Sequence, residues 1–137
     1  MSTDVRTAEE AEERKLVHFV TQQTRFTLIS NILQHPDQLP SMYELEQLNP
    51  SISDATVYKH IQKLIDAGIV EEAALPDDDR RQGYPWKFYG VSDPGREFLD
   101  GHNLLRAEET LQRIYETIAD KPEKMIKYEN APRPHRQ

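Results

Sequence analysis

Several side chains between Ser51 and Lys63 have the types and spacing needed to grip a polyanion. If Ser53 to Ala67 is a helix, Val57, Ile61, Leu64 and Ile65 fall on one face. Thr56, Lys59 and Lys63 fall on the opposite face, with His60 on its flank. Lysine reaches guanine acceptors or phosphate, and threonine contacts a thymine methyl or donates a hydrogen bond. Ser51 and Ser53 stand at the helix start, where hydroxyls and the helix dipole suit phosphate. Tyr58 reaches a nucleic-acid backbone through its hydroxyl, and Ser41 joins this set from the start of the preceding helix. A second polar group, Arg80, Arg81, Gln82 and Lys87, lies on and beside a loop between two strands. Arginines at a hairpin tip suit a narrow minor groove or its phosphates. A solvated helix face would show the same lysines, and Asp77, Asp78 and Asp79 are ready partners for the arginine pair.

Other chemistry finds little support. The chain has no cysteine, which removes disulfides, thiolate nucleophiles and cysteine metal sites together. His18, His35, His60, His102 and His135 show no metal-site spacing. There is no glycine-rich phosphate loop and no nucleophile elbow. The expectation is no catalytic residue, no metal site and no enzyme.

The surrounding pattern must position the basic groups. Apolar residues mark a helix from Thr7 to Val20 and another from Thr24 to His35. Ser41 and Glu44 form a capping box for a short third helix. Ser53 is a natural N-cap for the fourth, and Gly68 a natural stop. Between these two helices, Leu48 to Ser53 is the length of a helix-turn-helix crossing, with Ile52 plugging the angle. Two strands, 68–75 and 86–91, flank the longer loop. Ser92-Asp93-Pro94-Gly95 opens a further helix that breaks near Gly101-His102-Asn103. Leu104, Ala107, Leu111, Ile114 and Ile118 then alternate by three and four, a seam for helix packing. The fold expected is mainly α with a β-hairpin wing, a winged helix-turn-helix. It occupies 1–120, with the helix pair at 41–67 and the wing at 69–91. Helices 7–20 and 104–120 are expected to form a dimer interface through Leu16, Phe19, Val20, Leu104, Ala107, Leu111, Ile114, Tyr115 and Ile118. The basic tail, 121–137, is expected to be extended or disordered, because it holds three prolines and little periodicity.

Net charge is −7, against the basic balance usual for DNA-binding domains. Two readings resolve the conflict: either the partner is not DNA, or the whole proteome is acidic and works in molar salt, where the Debye length is about 3 Å. Only short-range contacts then need to be basic. No apolar run approaches a membrane span, and Met1 to Glu13 is polar, so the expected location is cytoplasmic.

Several segments carry a family likeness. Thr24-Arg25-Phe26-Thr27-Leu28-Ile29, Ala55 to Leu64 followed by Ala67-Gly68-Ile69-Val70, and Tyr89-Gly90-Val91-Ser92 with Gly95 to Leu99 resemble the ArsR/PadR-like winged helices. Leu39 to Leu45, Arg80 to Tyr89 and Asp120 to Met125 are similar to the RosR type of haloarchaeal regulator, which responds to reactive oxygen species. The resemblance implies a homodimeric transcription factor on a palindromic promoter element in molar salt, with a role in oxidative-stress control. The metal-sensing residues of the ArsR-type sensors are not carried over.

The reading is therefore a sequence-specific regulator of double-stranded DNA that acts as a homodimer and has no membrane partner. No organic cofactor is expected; inorganic cations bridging Asp77 to Asp79 and phosphate are the one exception considered. Two rivals share the fold: a protein-contact module of the transcription machinery, and a ligand-gated repressor.

Overall fold

The computed structural model describes residues 2–105 and 121–135. Four helices come first: α1 Ser2–Val20, α2 Gln23–Gln34, α3 Met42–Leu48 and α4 Asp54–Asp66. An antiparallel hairpin of β1 Val70–Ala74 and β2 Lys87–Val91 follows, then α5 Asp93–Gly101 and α6 Glu123–Glu129. The hairpin register pairs Val70 with Val91 and Ala74 with Lys87.

Local chemistry sets the helix ends. The Glu44 backbone N–H donates to Ser41 Oγ, and the Glu44 carboxylate accepts from the Ser41 N–H, completing a capping box on α3. The Thr56 N–H donates to Ser53 Oγ at the start of α4. Such caps are worth about 1 kcal/mol each. Just beyond α4, Gly68 takes φ +78°, a left-handed conformation that glycine adopts without a Cβ clash. Asn49, in the turn between α3 and α4, donates through Nδ2 to Asn31 Oδ1 and to the Leu45 carbonyl, both at 2.8 Å. That pair of bonds locks the turn onto α2.

The core lies where the helices meet the hairpin. Leu28, Ile29 and Ile32 of α2 pack with Leu45, Val57, Ile61, Leu64 and Leu99, and all eight are inaccessible to solvent. Ile52 is half-buried against them, in the crossing angle of the helix pair. Truncating one such leucine or isoleucine to alanine costs about 2–5 kcal/mol. A smaller cluster, Leu39, Leu75 and Phe88 with Trp86 beside it, supports the base of the wing. α5 is seated by Gly95, where a Cβ would stand 2.3 Å from the Ile69 carbonyl oxygen.

Two expectations are corrected. The C-terminal segment is not extended throughout. Residues 123–129 form α6, which packs on α3 and buries Met125. Val20 is fully buried inside the protomer's own core, so it is not a surface contact for a second copy. Leu16, Phe19 and Leu104 are half-buried around that core. Ala107, Leu111, Ile114, Tyr115 and Ile118 lie outside the described residues.

Candidate nucleic-acid interface

The apolar stripe of α4 faces the core through Val57, Ile61 and Leu64, and this orientation turns Tyr58, Lys59 and Lys63 outward. Tyr58 is 53% exposed, well above what its aromatic character favours. Ser51 and Ser53 are exposed just ahead of the helix. The Ser53 hydroxyl donates to Thr56 Oγ1 at 2.8 Å, so the two act as one polar patch.

His60 is half-buried on the flank of this surface and has a neighbour that pattern reasoning did not select. The Arg25 guanidinium lies 4.1 Å from the Phe19 ring centroid and donates through Nε to the Phe19 carbonyl at 2.7 Å. Its Nη1 stands 3.3 Å from His60 Nδ1. Arginine can only donate, so Nδ1 accepts and Nε2 carries the ring proton. Burial pushes the His60 pKa below its ordinary value, and the positive charges of Arg25, Lys63 and Lys59 push it further. At neutral pH His60 is an uncharged hydrogen-bonding group.

The wing divides its cations. Arg80 is committed internally: Nε donates to the Leu75 carbonyl at 2.9 Å, Nη1 pairs with Asp77 at 3.2 Å, and the guanidinium stacks 3.7 Å above Trp86. Lys87 lies 5.1 Å from the same ring centroid and 3.9 Å from Glu72. Arg81 and Gln82 are exposed at the tip, as are Asp78 and Asp79.

Ser41 does not belong to this surface. It is buried, and its hydroxyl donates to Glu44 Oε1 at 2.9 Å. Glu44 Oε1 also accepts from Arg133 Nη2 at 2.8 Å, while Oε2 accepts from His35 Nε2 at 2.6 Å. Burial raises the Glu44 pKa, but the His35 hydrogen bond, the Arg133 charge and the Ser41 N–H together outweigh it and hold the carboxyl below its ordinary value. The capping box at Ser41 and Glu44 was readable, but the arginine that covers it was not.

Among the described residues, no three histidines, aspartates or glutamates gather as a metal site. No described helix is long and apolar enough to cross a membrane.

A short helix, a locked turn, a second helix with one outward polar face and an antiparallel hairpin together make this a winged helix-turn-helix protein. The protein-family models contain no match, and neither do the curated proteins. Solved structures do match. A protein with a GntR superfamily winged-helix-turn-helix domain from Halomicrobium mukohataei is 26% identical, with TM-score 0.83 over 93% of this chain and 88% of that one. A crystal structure of a transcriptional regulator is 20% identical, with TM-score 0.50 over 90% of this chain and 85% of that one, and shares the fold.

Proposed function

We propose that this protein is a sequence-specific double-stranded DNA-binding transcription regulator that acts as a homodimer in high salt. The observation that carries this reading is the outward face of α4. A capped, rigidly locked helix presents Thr56, Lys59 and Lys63 on a surface that nothing in the protomer's core requires to be basic. In this geometry the N-terminal half of α4 reads base edges in the major groove. Arg81 and Gln82 meet the neighbouring minor groove or its phosphates. Two protomers related by a two-fold axis would read a palindromic element with half-sites one helical turn apart, about 34 Å, or a multiple of it.

The likeness to a haloarchaeal winged-helix protein supports an acidic chain working at molar salt. Bridging cations between Asp77 to Asp79 and phosphate belong to this proposal, as does oxidative-stress control, which rests on the sequence resemblance alone. The chain has no cysteine, so an oxidant signal would not arrive through a thiol of this chain.

The test begins with selection of bound duplexes from a random library in molar potassium chloride. The selected duplex is then titrated with the native chain and with the double variant Lys59→Ala/Lys63→Ala. We expect an affinity loss of at least about ten-fold, as for removal of two direct contacts. Equal affinity of the two proteins would remove α4 from the interface. Failure to enrich any duplex would end the DNA reading.

A further inference from the structure

We propose that α6 is a third DNA-contacting element, which sets the Lys124 and Lys127 ammonium groups against duplex phosphates between the recognition helix and the wing. The proposal rests on the DNA-binding reading above and deepens it.

α6 packs on α3, with the Tyr43 and Tyr128 ring centroids 5.1 Å apart. Lys124 Nζ lies 4.4 Å from the Tyr43 ring centroid and 5.3 Å from that of Tyr128. Lys127 Nζ lies 4.3 Å from the ring centroid of Tyr84, at the wing tip, and beside Gly83. One short helix therefore bridges the helix-turn-helix to the wing. Downstream of α6, Pro132 to His135 run along the wing and enclose with it a cleft of about 610 Å³, lined also by Asp78, Asp79 and Arg81. The Glu46 carboxyl of α3 has its pKa raised by burial and by the charge of Asp54, the first residue of α4, and the Lys124 charge opposes both.

Among the described residues, the other lysine and arginine of this segment are used internally: Lys121 pairs with Glu129 at 3.0 Å, and Arg133 with Glu44 at 2.8 Å. Lys124 and Lys127 are exposed, and the contacts that hold them are with aromatic rings. A ring face restrains an ammonium without neutralising it. The rings thus restrain the two ammonium groups, which removes part of the freedom that phosphate binding would otherwise cost. The Tyr84 side chain, 39% exposed, stands beside Lys127.

Ser41 at the start of α3 was expected in the DNA-contacting set, yet it is buried beside Glu44, which Arg133 of the C-terminal segment covers. In this proposal α6, not the start of α3, supplies the phosphate contact.

The experiment compares the native full chain, Lys124→Gln/Lys127→Gln, Lys124→Arg/Lys127→Arg and Lys59→Ala/Lys63→Ala. Each is titrated against the duplex selected above and against a mixed-sequence duplex, with hydroxyl-radical footprints of each complex. The glutamine pair should lose affinity about ten-fold on both duplexes alike, the mark of lost phosphate contacts. Its footprint should lose backbone protection beside each half-site, and the arginine pair should bind like the native chain. If the glutamine pair binds both duplexes with native affinity and footprint while Lys59→Ala/Lys63→Ala fails, α6 is not a contact and the DNA reading stands. If the arginine pair fails together with the glutamine pair, the lysines act through packing rather than charge, and the inference falls. If the native chain binds neither duplex, the underlying reading fails with it.

Discussion

The outer face of α4 and the buried start of α3 use charged residues for opposite ends. On α4, Lys59 and Lys63 stand in solvent, and the core beneath them is complete without them. Beneath the C-terminal segment, Glu44 is shut away from solvent, and His35, Ser41 and Arg133 take up its oxygens. A charge in the first setting is available to a ligand and contributes little to folding. A charge in the second is unavailable to any ligand, and removing its partner strands it in a low-dielectric interior. The wing shows a milder contrast between neighbours: Arg80 is stacked on Trp86 and paired with an exposed Asp77, and Arg81 is exposed at the tip.

The sharpest way to break this contrast is to remove a member of the buried cluster. Arg133→Ala should destabilise the protein by about 3–5 kcal/mol in denaturant melts, the usual cost of orphaning a buried ion. The double variant Arg133→Met/Glu44→Gln should recover a large part of that loss, since neither residue then carries a charge. Equal losses in the single and double variants would mean that packing, not charge, holds this corner.

A smaller effect should appear with pH. The Glu44 carboxyl is held below its ordinary value in the folded state. Its contribution is therefore complete above the ordinary carboxylate range, about pH 4.3. It is lost as pH falls through the lower, folded value. Thermal melts of the native chain and of Glu44→Gln, measured in steps below pH 5, should converge as acid is added. A constant gap would contradict the assignment.

The smallest effect belongs to the exposed face. His60 is uncharged at neutral pH, with its value lowered by burial and three nearby cations. His60→Gln keeps a neutral hydrogen-bonding group. It should change affinity for the selected duplex by less than Lys59→Ala does, and stability by no more than about 0.5 kcal/mol. An affinity loss larger than that of Lys59→Ala would show that the ring itself is read.

What could be read from the sequence was local. The two faces of α4, its Ser53 cap, the Gly68 stop and the capping box at Ser41 depend on spacings of three and four residues. The hairpin strands were placed within two residues of their observed ends, because their pairing follows from adjacent segments. What escaped depends on distant partners. Pro122, Pro132 and Pro134 read as breakers, yet the first serves as the N-cap of α6 and the others follow its end. The three-residue spacing of Met125 and Tyr128 was the available sign of a packed helix, and its face is filled by α3. In the sequence Arg25 is marked only as part of the Thr24 to Ile29 family likeness. Only the fold brings Phe19 under its guanidinium and His60 beside it. Ser41 was rightly read as a cap, but its accessibility is decided by residue 133.

The bond between Glu44 and Arg133 spans 89 positions of the chain. At ribosomal speeds of about 5–20 residues per second, this separation corresponds to several seconds of synthesis. During that interval Glu44 already has its near neighbours, Ser41 three residues away and His35 nine away. The emerging helix-turn-helix can therefore form around a partly satisfied carboxylate before its distant arginine exists. The clasp then closes last, as a lock on a structure already assembled.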